Sequence, residues 1–241
     1  MVRSALHPYQ GAHTVILYVN GDSHTAAAEC VNKHAFAEDD GELYDLGRMP
    51  HPDNLAHSWG KKLADRIGYD FVCEAESASS NDRIIRTTKE YLEWVDTPDL
   101  IIIQWSTWER EEWLINNQWY QINASGVDDV PDSHQDSYKE YVANVDWVQK
   151  TLEAHEKIYD FHNWLSDNNI DHVFFNGNNT FGDILNRKHW GDCYYEPYES
   201  SFDHKLRDRF DKRNGGYHYG PDAHTYWADY MTMYLVDKNF I

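Results

Sequence analysis

Two kinds of apolar pattern alternate along the chain. Thr14–Asn20 (TVILYVN), Tyr69–Ala75, Asp99–Trp105 (DLIIIQW) and Asp171–Asn176 (DHVFFN) are short, nearly continuous apolar runs. Such runs predict strands buried on both faces. Between them lie stretches with helical spacing. Over Asn54–Gly68, Leu55, Trp59, Leu63 and Ile67 form one stripe, Asn54 can cap it and Gly68 ends it. Ser80–Val95 places Ile84, Ile85, Tyr91, Leu92 and Val95 at helical positions, and Asp136–Asn168 reads as one long helix or two. Pro221–Val236 reads as a closing helix with proline in its first turn. A further helix is expected from Thr25 to about Phe36. Residues 38–53, 106–134 and 177–217 read as long loops, and 1–13 as an N-terminal arm before a single domain, 14–241.

Strands separated by helices predict βαβ units, and hence an α/β fold with a mostly parallel sheet in a three-layer sandwich. Sheets of this type bind ligands at the carboxyl ends of their strands. The residues after Asn20, Ala75, Trp105 and Asn176 are therefore the first places to look for chemistry. Gly21-Asp22-Ser23-His24-Thr25 follows the first strand directly. Glycine permits a sharp exit, and a helix starting there would aim free N–H groups at Ser23, as acyl transfer to a serine requires. The plainer alternative is that Ser23 or Thr25 only caps that helix.

Composition narrows the partners. Lys and Arg number 21 against 41 Asp and Glu, a formal net charge of −20. So acidic a surface repels phosphate backbones and anionic membranes, so neither nucleic acid nor a membrane is an expected partner. No apolar run approaches the roughly 20 residues of a membrane span. The first residues lack the apolar core of a secretory signal, so a soluble cytoplasmic protein is the default expectation, with a virus particle as the other setting. Cys30, Cys73 and Cys193 make an odd set without CxxC spacing, so neither disulfides nor a zinc knuckle is expected. The 14 His residues include no pair with a catalytic-metal signature, and no cofactor is expected. Ten Trp and 17 Tyr are many, and aromatics both fill cores and line ligand clefts.

The strand followed by Gly-Asp-Ser-x-Thr (VILYVNGDSHT) resembles the first block of the SGNH, or GDSL-like, hydrolase superfamily. Gly216-Tyr217-His218-Tyr219-Gly220-Pro221-Asp222-Ala223-His224, before the closing helix, resembles the last block, where that superfamily carries its catalytic histidine. The resemblance spans Thr14 to about Leu235 and implies a flavodoxin-like SGNH fold. It further implies Ser23 as nucleophile and His218 as base, with His224 as the alternative base. The backbone N–H groups of Ser23 and of Ala78, with Ser79 as the alternative to Ala78, are then the implied oxyanion donors.

The departures are specific. The superfamily's acid, three residues before the histidine, falls on Gly215 here, preceded by Asn214. A Ser–His dyad, or an orienting Asp203, Asp208 or Asp211, remains open. The third-block Asn, an oxyanion donor, falls on Trp108 in Ser106-Thr107-Trp108-Glu109. Asn81, Asn176 and Asn178 are the candidate replacements. Asp22 is expected to bond backbone around the serine turn. His24, Trp105, Trp108 and Arg110 are candidates for a substrate wall, with ordinary packing as the alternative.

The expected function is a serine esterase acting on a small-molecule or carbohydrate ester, O-acetyl carbohydrate among them, through an acyl-enzyme. The alternative is a catalytically impaired module on the same fold that binds glycans or builds a larger particle such as a virion.

Overall fold

The computed structural model describes residues 14–241 apart from 96, 125–129, 183 and 214–215; the expected arm at 1–13 lies outside the described residues. Four strands, β1 (Ile16–Asn20), β2 (Asp70–Cys73), β3 (Leu100–Trp105) and β6 (His172–Asn176), form a parallel sheet in the order β2-β1-β3-β6. Tyr18 pairs with Val72 on one side and Ile101 on the other, and Ile103 pairs with Phe174. These are the four apolar runs of the sequence, each trimmed at its ends.

Alternation within each strand sends side chains to two separate cores. Leu17, Val19, Leu100, Ile102, Val173 and Phe175 pack with Trp59 and Leu63 of α2 (Trp59–Ile67), Phe202 and Leu206 of α6 (Phe202–Leu206) and Trp227, Met231 and Leu235 of α7 (Pro221–Asp237). Tyr18, Ile101, Ile103, Trp105 and Phe174 pack on the other face. Their partners are Ile84 of α3 (Asn81–Trp94) and Ala154, Ile158, Phe161 and Leu165 of α5 (Trp147–Asp167). The architecture is thus a three-layer α/β/α sandwich.

Local chemistry sets the element ends. Ser80 Oγ accepts from Arg83 N to cap α3, and Asp146 accepts from Val148 N and Gln149 N to cap α5. The helix expected over Asn54–Gly68 is split: a single turn, α1 (Pro52–Leu55), precedes α2, which Ser58 caps by accepting from Lys61 N. The Asp136–Asn168 stretch is likewise two helices, α4 (Gln135–Asn144) and α5. The expected loop at 106–134 contains an antiparallel hairpin, β4 (Glu111–Ile115) and β5 (Gln118–Ile122). Its two-residue turn, Asn116-Asn117, has φ of 52° and 62°, the pair of left-handed residues that a tight hairpin needs and asparagine tolerates. The hairpin builds a small core with Val130 and Tyr138. It is tied to α3 by an Arg86–Glu112 pair at 2.7 Å and by Gln121 Oε1, which accepts from Ser80 N.

Trp227 is fully buried, with its ring centroid 5.0 Å from that of Phe175 and 5.3 Å from that of Phe202. Trp227→Ala is expected to cost about 3–5 kcal/mol. A guanidinium unfolding curve should show a lower midpoint at unchanged slope; an unchanged midpoint would mean that α7 is not packed as described.

Candidate active site at the carboxyl end of the sheet

The chain leaves β1 through a crowded exit. Asn20 Oδ1 accepts from Gly21 N (2.8 Å), while its amide group donates to Ile84 O (3.2 Å) and Thr88 Oγ1 (3.0 Å) of α3. A Cβ on Gly21 would meet Thr25 Oγ1 at 2.5 Å, so only glycine allows this approach. Asp22 then turns inward and is fully buried. One carboxylate oxygen accepts from His24 N (3.0 Å) and Gln104 Nε2 (2.8 Å); the other accepts from Ser106 Oγ (3.0 Å) and Arg110 Nη1 (3.2 Å). Gln104 Oε1 in turn accepts from Thr25 Oγ1 (2.8 Å). Burial pushes the Asp22 pKa up, but attraction to His24 and Arg110 and the donated hydrogen bonds outweigh it, and the carboxyl sits below its ordinary value. Burial holds His24 itself down to about 4. His24 is therefore neutral at pH 7, which leaves Arg110 and the hydrogen bonds to keep Asp22 ionised.

The helix expected from Thr25 does not form. Residues 22–29 are a run of turns, with Ala26 N bonded to Asp22 O (3.0 Å) and Ala28 N to Ser23 O (2.9 Å). Ala27 (φ 53°) and Glu29 (φ 58°) lie in the left-handed region, which ends any helical ladder. Glu29 N instead reaches His34 O, and Asn54 Oδ1 accepts from Val31 N (2.8 Å). The expected helix therefore brings no dipole to Ser23. Among the described residues neither Ser23 N nor Ala78 N donates a hydrogen bond. Ala78 has φ of 66°, a conformation that glycine adopts without strain. Ser23 is buried, with 8% of its surface exposed, and its Oγ makes no hydrogen bond among the described residues.

The same turn carries an acid that sequence inspection missed. Glu29 Oε2 lies 2.7 Å from His218 Nδ1. A carboxylate only accepts, so Nδ1 carries the proton, and the neutral ring keeps its lone pair on Nε2. Two further contacts hold the His218 loop: Arg213 N donates to His218 O (2.9 Å), and Arg213 Nη1 donates to Cys30 O at the end of the serine turn. The His218 ring lies edge-on to His24 with centroids 5.6 Å apart. Asp203 faces elsewhere, accepting from Tyr219 OH (2.7 Å) and pairing with Lys212 (2.8 Å). Gly215 and Asn214 lie outside the described residues. Glu29 is remote in sequence from His218 and falls within an expected helix, so no motif could have singled it out.

The other sequence candidates take varied places. His224 is buried in α7, and its Nδ1 accepts from Trp59 N (3.2 Å), the first N–H of α2; burial pushes its pKa down to about 3. Asn81 is bound to Ser106 through both its oxygen (2.9 Å) and its amide (3.4 Å). Asn176 is engaged with Tyr194 and Pro197. Asn178 is exposed, and its Oδ1 contacts His24 Nε2 (3.2 Å). Trp105 is fully buried against Phe174, and Trp108 stacks on Phe181 at 5.0 Å. Trp105 belongs to the core, packed on Phe161 and Phe174, whereas Trp108, stacked on Phe181 of the 177–217 loop, also lines a cavity of about 210 Å³ with Asn81 and Arg110. Arg110 braces Asp22 from below the site.

The fold and this site define an α/β protein with a serine at the end of its first strand and a carboxylate-bound histidine delivered by its last loop. The chain belongs to the family of unknown function DUF6071, whose model matches residues 37–215. A search of curated protein sequences finds no match. Among solved structures, an acetyl xylan esterase from the rumen bacterium Butyrivibrio proteoclasticus is 13% identical at a TM-score of 0.42, with 96% of this chain and 66% of that one covered. A carbohydrate esterase family 2 enzyme with a carbohydrate-binding domain from Corynascus thermopiles (Myceliophthora fergusii) is 14% identical at 0.44, over 98% and 68%. A lipolytic protein of the G-D-S-L family from Desulfitobacterium hafniense is 12% identical at 0.37, over 92% and 100%. The chain thus spans just under two thirds of the acetyl xylan esterase. At TM-scores below 0.5 these likenesses carry no functional argument. Among the described residues no helix is long and apolar enough to cross a membrane.

Burial depresses the pKa of His24 and His172 from 6.5 to about 4 and that of His224 to about 3. Because the unfolded chain binds these protons first, their contribution is complete above pH 6.5 and is lost as pH falls toward 3–4. Urea unfolding is therefore expected to show stability falling through this window. Replacement of His224 by Gln should make the fall shallower, and an unchanged slope would contradict its burial as a neutral ring.

Proposed function

We propose that this chain is an ester hydrolase of the SGNH kind with a Ser23–His218–Glu29 constellation. The observation that carries the reading is the 2.7 Å contact between His218 Nδ1 and Glu29, on the turn that bears Ser23. Glu29 orients the ring and stabilises the imidazolium, the role a triad acid plays. His218 Nε2 takes the Ser23 Oγ proton as the oxygen attacks the ester carbonyl. The N–H groups of Ser23 and Ala78 receive the developing oxyanion. The same proton then passes to the departing alkoxide, leaving an acyl-serine. Water, deprotonated by His218, releases the acid and returns the proton to Ser23. The small exposure of Ser23 favours a short acyl group such as acetyl, on a small alcohol or a carbohydrate hydroxyl.

A second reading, a non-catalytic binding or structural module, is favoured by one observation. Trp108 occupies the position of the usual third oxyanion donor and is buried in a stack, while Asn81 and Asn176 are committed elsewhere. Loss of one such donor costs about 10²–10³ in rate.

Intact-mass detection of fluorophosphonate labelling decides between the two. One adduct on the wild type and none on Ser23→Ala is the expected result; no adduct on either protein would favour the binding module. In the active case, Glu29→Gln is expected to lower kcat for p-nitrophenyl acetate by about 10-fold to 10⁴-fold, the upper figure being that for a fully buried triad acid. A kcat unchanged by Glu29→Gln would remove Glu29 from the mechanism.

A further inference from the structure

Two clusters outside the serine site bring metal-ligating atoms within 4.8 Å of one another: His162, His172 and Cys193, and His34, Asp40 and His51. The hydrogen bonds of His51 and His172 separate them. A histidine that ligates through one nitrogen almost always donates its other N–H to a carbonyl or carboxylate, which fixes the tautomer.

His51 is arranged against this. Its Nδ1 accepts from Asp53 N (3.2 Å), where it caps α1, and so holds no proton. The proton sits on Nε2, the nitrogen that faces Asp40 at 3.5 Å. Binding an ion there would force the proton onto Nδ1, against the Asp53 N–H.

His172 has the opposite arrangement. Its Nδ1 lies 2.8 Å from Ile170 O, a pure acceptor, so Nδ1 carries the proton and Nε2 presents its lone pair. That lone pair faces His162 Nδ1 at 2.8 Å. Both rings are buried, and three different backbone elements fix the set. His162 sits on α5 and His172 opens β6. Cys193 is pinned beside the sheet edge by its carbonyl, which accepts from Phe174 N (2.8 Å). All three cysteines are free thiols. A cavity of about 270 Å³, lined by Asp171, His172, Cys193 and Phe240 among others, opens onto the set.

We infer that His162 Nδ1, His172 Nε2 and Cys193 Sγ form a binding site for a thiophilic cation of the Zn²⁺ class. Two nitrogens bound to tetrahedral zinc at about 2.05 Å lie about 3.3 Å apart, so the two rings need to part by only about half an ångström. Binding moves the His162 proton from Nδ1 to Nε2 and releases the Cys193 thiol proton to solvent. Three protein ligands leave the fourth position facing the cavity, where water completes the tetrahedron. The site lies at the β6 edge of the sheet, apart from the serine turn, and is independent of the esterase reading.

Co²⁺ titration of the reduced, metal-free protein tests this, since a cobalt–thiolate bond gives a near-ultraviolet charge-transfer band. One equivalent should develop the band, and Zn²⁺ should bleach it. Cys193→Ser should abolish the band, whereas Cys30→Ser and His51→Gln should retain it. Circular dichroism checks that each variant is folded, and Zn²⁺, but not Mg²⁺, should raise the wild-type Tm. Absence of the band in wild type, its survival in Cys193→Ser, or its loss in Cys30→Ser would overturn the assignment.

Discussion

The geometry at the end of β1 depends on one buried carboxylate. Asp22 has no exposed surface, and four donors from two stretches of chain converge on its two oxygens. A lone ion at such a depth costs several kcal/mol, so these donors are what make the position tolerable. Each also ties down something else. Gln104 fastens Thr25 to β3, and Ser106 hands its N–H to Asn81 at the start of α3. The two glycines that allow close passage, Gly21 and Gly177, both press on Gln104: a Cβ on Gly177 would meet its Nε2 at 2.3 Å. The serine turn is therefore held from beneath by a polar knot set between two apolar cores.

Above that knot, Ser23 and Glu29 share one turn, while His218 arrives from the other end of the chain. Left-handed backbone at Ala27 and Glu29 curls the chain so that the Glu29 side chain can reach His218. Each such residue costs of order 1 kcal/mol where it is not glycine. In the SGNH pattern an acid stands close before the histidine in sequence; here that position is glycine, and the carboxylate that meets His218 comes from the serine turn. The acceptor at His218 Nδ1 is thus supplied by a different place in the chain.

The sheet was legible because its signal is physical and local. Leu100–Trp105 is buried at every residue, and no amphipathic helix could carry so continuous an apolar run. The two-core division likewise follows from strand alternation. The region after Ser23 was misread because AAAEC has good helix propensity, whereas tertiary bonds to Asn54 and His34 override it. The depth of Trp105, buried between Phe161 and Phe174, is a property that sequence does not give. The hairpin at 111–122 did have a signal, Asn-Asn between two apolar-polar segments, which sat unread inside an expected loop. Glu29 had none, because contact between residues so far apart is a property of the fold alone.

The hairpin has a consequence for the motions of the molecule. It is a satellite unit with a three-residue core of its own, attached to α3 chiefly through Arg86–Glu112 and Gln121. So small a unit opens at a lower free energy than the sheet. Arg110 is the residue immediately before its first strand, and it is also the cation that keeps Asp22 ionised. Opening of the hairpin would disturb the charge balance beneath the serine turn. Hydrogen exchange at 111–122 thus bears on how steadily Ser23 is presented.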